Sequence, residues 1–188
     1  MTQRGEGKKR ATRRAIQEAA VRLAVQHGVD GVSVEAISAA AGIARSTFFT
    51  HFKSKEDALT PEAPWSAAEL AEAVAARPSR ESAPAAVAEV LAGAARRLDA
   101  DPAANRSWPE FFARNPGFVP PHNAELTEVL VEAVTPRAGD RDEAELAVAV
   151  AMAVFWTVRR QAARDGAALE PRLRRALARR LPSTKEKS

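Results

Sequence analysis

Apolar residues recur at helical spacing along nearly the whole chain and nowhere alternate with polar ones over a strand's length. The first such stripe, Ile16, Ala19, Ala20, Leu23 and Ala24, predicts a helix over about 9–27 ended by Gly28. Residues 28–57 then read as two short helices around a tight turn. Ser33 caps the first, Glu35 suits the positive end of its dipole, and Gly42 ends it in a left-handed conformation. The second, about 44–52, sets Phe48 and Phe52 on one face. Val34, Ile37, Ile43, Phe48 and Phe52 are the expected core of this small unit. Two short helices joined by a glycine-containing turn make a helix-turn-helix, whose second helix enters the DNA major groove.

Further along, Ser54 with Asp57 resembles a capping box opening a fourth helix. Pro61 and Pro64 then predict that this helix either stops near Leu59 or kinks before a new one over about 64–76. An alanine-rich helix follows over about 84–99. Residues 102–123, with five prolines and four large aromatics, read as irregular. A helix over about 123–134 is closed by Thr135-Pro136, and Asp140 opens the longest helix, to Asp165, with Gly166 as its stop. Its centre, 146–158, is apolar almost all round, which demands burial on every face: one side against its own domain, another against a partner or ligand. The last helix, about 171–181, carries Leu173, Leu177 and Leu181 on one edge and arginines on the other. The fold class is all-α: an N-terminal three-helix helix-turn-helix DNA-binding domain over 1–57, then a helical ligand-binding and dimerisation domain over 58–188. The first ten residues and the last seven are expected to be frayed.

A more specific signal lies in the residue string itself. Ile37, Ala40, Ala41, Gly42 and Ile43, then Ser46-Thr47-Phe48-Phe49, then His51-Phe52-Lys53-Ser54-Lys55-Glu56, resemble the tetracycline-repressor (TetR) family of one-component bacterial regulators. The likeness covers about the first third of the chain. It implies an all-helical homodimer with an N-terminal DNA-reading domain and a C-terminal domain that dimerises and usually binds a small molecule. Two positions depart from the family pattern. Ala44 stands where a capping Ser or Thr is frequent, and Phe49 where a Tyr hydroxyl commonly touches a phosphate. Each lost polar anchor is worth about 1 kcal/mol, so weaker backbone clamping is expected.

Charge agrees with this reading. The net charge is +4, with ten Lys or Arg against six Asp or Glu in residues 1–57 and eighteen of each in 58–188. The excess therefore lies where phosphates would be met. Arg4, Lys8, Lys9, Arg10, Arg13 and Arg14 form a cluster able to reach phosphates or a minor groove. With the apolar residues of the second short helix turned inward, Arg45, Ser46, Thr47 and Thr50 face out. Arg45 is the candidate reader of a guanine edge. Ser33, Phe49, His51, Lys53 and Lys55 complete the expected DNA-contact set.

The aromatics Trp108, Phe111, Phe112 and Phe118 read either as core or as a cavity wall. With Trp65, Met152, Phe155 and Trp156, and His122 as a polar group, Trp108, Phe111 and Phe112 are the candidate lining of an effector site. Such a lining favours an apolar or aromatic molecule. The chain has no cysteine and three scattered histidines, so no disulfide, zinc pattern or cysteine nucleophile is expected, and no cofactor. No phosphate loop follows a strand, and no catalytic constellation has local support, so an enzyme is not expected. No apolar run is expected to reach a bilayer's thickness and the N-terminus lacks a secretory signal, which predicts a cytoplasmic protein without a membrane partner. The expected function is a homodimeric regulator, in the repressor sense, on a palindromic operator, released by a small effector. The alternatives are a DNA-binding dimer without an effector, and a helical protein-binding module that uses the helix-turn-helix as scaffold.

Overall fold

The computed structural model describes residues 3–60, 65–101, 108–119 and 123–180. Among these residues there are ten helices and no strand: α1 Gln3–His27, α2 Val34–Ala40, α3 Arg45–His51, α4 Lys55–Ala58, α5 Ala67–Ala75, α6 Ala83–Asp99, α7 Trp108–Arg114, α8 Asn123–Ala138, α9 Arg141–Asp165 and α10 Leu169–Arg180. The chain divides into two compact units. One is residues 1–61 with 106–122; the other is 62–105 with 123–188. The first therefore includes a segment that the sequence grouped with the effector domain. Its helix α7 packs on α1.

In the first unit, Ile16, Ala19, Ala20 and Ala24 of α1 are buried with Ile37, Phe48, Phe52, Ala58 and Leu59. Leu23, Val34 and Ile43, expected in this core, are only half-buried, whereas Val32 is buried. α1 also starts well before its predicted beginning at Lys9. No proline interrupts residues 3–27, and the Thr12 hydroxyl donates to the Lys8 carbonyl within the early turns. α4 ends at Ala58, before the prolines. The joint around Pro61 and Pro64 lies outside the described residues, as do His122 and the C-terminal tail.

The region expected to be irregular holds α7. Pro109 is its second residue, where a missing N–H has no partner to lose. Trp108, Phe111 and Phe112, spaced at i, i+3 and i+4, are buried and meet at ring-centroid distances of 5.3–6.1 Å.

The second unit is a bundle of α5, α6, α8, α9 and α10 around one core. Its helix ends are tied by side chains, some local and some from other helices. Ser66 and Glu69 form a reciprocal capping box at the start of α5. The Asp99 carboxylate, at the end of α6, accepts the N–H groups of Leu169 (2.9 Å) and Glu170 (2.8 Å) and so caps α10. This cap lets α10 begin two residues before the predicted Pro171.

α8 runs through Pro136, which was expected to close it. The proline lies in the last turn on an exposed face, so only the bond to the Glu132 carbonyl is given up, and Gly139 (φ +94°) then ends the helix. The extra turn delivers Arg137. Its guanidinium donates to the carbonyls of Val74, Ala75, Arg77 and Pro78 at 2.7–3.1 Å, at and just beyond the C-terminal end of α5.

α9 is long and apolar enough to cross a bilayer by length and composition, contrary to the expectation that no segment is. Half of its circumference is nevertheless core. Ala144, Val148, Ala151, Phe155, Val158 and Ala162 follow a heptad-like spacing and are buried. The opposite face exposes Leu146 (59%), Ala149 and Ala153. Burial on every face is thus not met within a single chain.

Replacing Arg137 with Met keeps the apolar stem and strips the α5 carbonyls of their charged donor. Urea unfolding of the intact chain should show a loss of about 2 kcal/mol, the scale of a hydrogen bond to a charged group.

Candidate nucleic-acid interface

The local sequence dictates the α2–turn–α3 geometry closely. The Ser33 hydroxyl accepts the Ala36 N–H at 3.1 Å and starts α2. Gly42 takes φ +66°, the left-handed conformation expected of the turn, and the Ile43 N–H returns to the Ser38 carbonyl at 3.0 Å. Ala44 is the N-cap of α3 and supplies no side-chain bond to it. Phe48 and Phe52 are buried with ring centroids 5.8 Å apart, which fixes the rotation of α3. Arg45, Ser46, Phe49 and Thr50 are consequently exposed, and Thr47 is half-buried. The Thr50 hydroxyl donates back to the Ser46 carbonyl at 3.2 Å.

The outward residues are not independent. Arg45 Nε donates to Glu35 Oε1 at 2.7 Å, linking α3 to the first turn of α2. The Arg45 guanidinium carbon also lies 5.0 Å from the centroid of the Phe49 ring, itself 46% exposed. The Glu35 carboxyl is held below its ordinary range, first by its own backbone N–H and then by Arg45, so it is charged at neutral pH. Sequence reasoning assigned Glu35 only to the helix dipole. Its pairing ten residues ahead depends on the α2–α3 crossing and leaves no short-range signature.

Two of the expected contacts, Lys55 and Arg13, are engaged inside the unit. Lys55 Nζ donates to the carbonyls of Val29 and Val32, 3.0 Å each, and so ties α4 to the loop before α2. Arg13 stacks on Phe52 at 4.0 Å and donates to the His51 carbonyl. His51 is half-buried, with its Nδ1 shielded and unpartnered. Lys53 is exposed, and its backbone N–H donates to Asp57 Oδ2 at 2.9 Å. Ser54 caps α4 as expected, accepting the Asp57 N–H at 3.2 Å.

The loop carrying residues 28–33 is pinned from a second direction, by a residue the sequence did not single out. Asn115 follows α7, accepts the Val29 N–H at 3.2 Å, and donates to the carbonyls of Ala24 (3.4 Å) and Phe111 (3.0 Å). Gln17 of α1 donates to the Thr60 carbonyl at 2.6 Å and holds the chain leaving α4. Gly31 is needed here for space: a Cβ would meet the His27 carbonyl oxygen at 2.5 Å.

The candidate effector residues fall into both units. Trp108, Phe111 and Phe112 belong to the first, whereas Trp65, Met152, Phe155 and Trp156 belong to the second. Met152 and Phe155 are buried core; Trp65 and Trp156 are half-buried against it. Arg159 lies 5.4 Å from the Trp156 ring centroid, and burial lowers its pKa to about 10. Among the described residues no group of three or more His, Cys, Asp or Glu is placed to hold a metal ion.

A short capped helix, a left-handed glycine turn and a second helix showing polar side chains outward define a helix-turn-helix DNA-binding unit. Residues 16–59 match the model of the tetR family of bacterial regulatory proteins, so this part of the chain is a tetR-type helix-turn-helix DNA-binding domain. Proteins of this family are transcription regulators rather than enzymes. Among solved structures, a chain from Mesorhizobium loti bearing the name of a TetR-family transcriptional regulator matches with 18% identity. The match spans 96% of this chain and 98% of that one at a TM-score of 0.34. No curated protein matches.

His51 titrates below the ordinary histidine value of 6.5, because burial and then the charges of Lys9 and Arg13 disfavour its cation. With the folded pKa depressed, the unfolded chain takes up the proton first. Stability from this group is complete above about pH 6.5 and is lost as pH falls through the folded value. An NMR titration should place the His51 midpoint below 6.5, and acid unfolding of His51→Gln should lack this component.

Proposed function

We propose that the chain acts in the cytoplasm as a homodimeric transcriptional repressor on a palindromic DNA operator. The observation that carries this reading is the outward face of α3: Arg45, Ser46, Phe49 and Thr50 stand exposed over a buried Phe48–Phe52 pair. The confinement of net positive charge to residues 1–57 supports it. In this reading Arg45 meets a guanine edge. Ser46, Thr47 and Thr50 meet neighbouring bases or phosphates. Ser33, Phe49, His51 and Lys53 line the backbone side. Lys55 and Arg13 act through the loop and helix end that they hold rather than by direct charge.

Dimerisation is supported by the exposed apolar face of α9. Joined with α10 and their symmetry mates, it forms a four-helix bundle with a self-complementary seam. Two recognition helices then meet successive major-groove faces, one turn or more apart. Release follows if a small apolar or aromatic effector binds better to a dimer whose reading heads are mis-spaced. The shift is limited to that difference in affinity. Within the second unit, Trp65, Met152, Phe155 and Trp156 are the side chains suited to such a molecule. A second reading, a DNA-binding dimer with no effector, is favoured by the burial of Met152 and Phe155 among alanines of α6 and α9.

Fluorescence anisotropy with duplexes from beside its own gene tests the proposal. One fragment should be bound in preference to random DNA, with affinity falling steeply as salt rises; equal binding to every duplex would refute it. Arg45→Ala should reduce that preference by about 1–3 kcal/mol. For the dimer, Ala153→Glu places a charge in the seam at a position exposed in the single chain. Light scattering should show a folded monomer; a dimer of unchanged mass would exclude α9 as the seam.

A further inference from the structure

The contact between Glu35, Arg45 and Phe49 does little for the stability of the fold. All three are exposed, and an ion pair in such a setting contributes little. α2 already has its Ser33 cap, and α3 is held by Phe48 and Phe52. What the contact does control is the direction of the arginine. Nε is taken by Glu35, and the ring of Phe49 limits the plane of the guanidinium. The two terminal amino groups make no hydrogen bond among the described residues.

We propose that Glu35 and Phe49 are positioning residues for sequence readout, holding Arg45 so that only its terminal N–H fork is presented, end-on, to a guanine. The proposal rests on α3 being the recognition helix. An arginine free to rotate can satisfy its donors on almost any phosphate it meets, whereas a tethered one has few productive partners. The terminal fork matches the O6 and N7 acceptors of guanine in the major groove. Ordering the side chain before DNA arrives removes part of the entropy lost on binding. Phe49 thus gains a role that does not need the hydroxyl it lacks.

The Glu35 carboxylate has a second effect. It faces the polyanion and opposes contact with any duplex regardless of sequence. Its removal should therefore raise affinity for random DNA while lowering discrimination. A residue that merely supported the fold would lower both.

The test uses the intact chain, a duplex that it selects from a randomised pool, and a random-sequence duplex of equal length. Glu35→Gln should cut the selected-to-random affinity ratio by about tenfold and tighten binding to the random duplex. Phe49→Leu, which keeps the apolar bulk without the ring face, should cut the ratio in the same direction. In an Arg45→Ala background, Glu35→Gln should leave the ratio where Arg45→Ala alone puts it. An unchanged ratio in both single variants would overturn the proposal. So would an equal fall in the Arg45→Ala background, since Glu35 would then act by itself. If the wild-type chain selects no sequence from the pool, the recognition-helix reading fails and this inference falls with it.

Discussion

The burial of Phe48 and Phe52 beneath α3 is the constraint on which the reading face depends. The pair sits one turn apart on a helix of seven residues, too short to persist by backbone hydrogen bonding alone. Removing a buried phenylalanine of this kind costs about 3–5 kcal/mol, comparable with the whole stability of a small unit. Once these rings are inside, the rotation of α3 is settled. Arg45, Ser46 and Thr50 are thereby turned outward. The missing side-chain cap at Ala44 is therefore affordable, because packing holds the helix start that a cap would otherwise stabilise.

A second layer of restraint acts on the loop that launches α2. Lys55 grips the Val29 and Val32 carbonyls from one side, and Asn115 takes the Val29 N–H from another. Two polar side chains thereby add hydrogen bonds to the backbone of this loop. Because Asn115 follows α7, the loop's geometry depends on a segment that returns from the middle of the chain. Charge alone marked Lys55 as a phosphate ligand. The structure gives its ammonium a task inside the unit, and the same holds for Arg13 on Phe52.

The second unit solves a different problem. Alanine-rich helices pack closely, and their exposed ends are tied by side chains from neighbouring helices: Asp99 to α10, Arg137 to α5. α9 is the exception to closure. Its inner stripe is core, while Leu146, Ala149 and Ala153 form an apolar strip with no covering in the single chain. A strip of this kind at the surface is where a partner gains most by removing water.

By itself the sequence determined whatever is set by neighbours a few residues apart. The all-helical class follows from the periodicity, the α2–turn–α3 unit from Ser33, Gly42 and the Phe48–Phe52 spacing, the start of α4 from Ser54, and the two ends of α9 from Asp140 and Gly166. Proline was a weaker guide, since its cost depends on where in a helix it falls: Pro109 opens α7 and Pro136 sits in the last turn of α8. Tertiary structure alone decided which charges remain outward. Glu35 meets Arg45, Lys55 meets the loop, and Asn115 joins α7 to α1 because separate helices cross at particular angles. No pattern within one helix encodes those crossings.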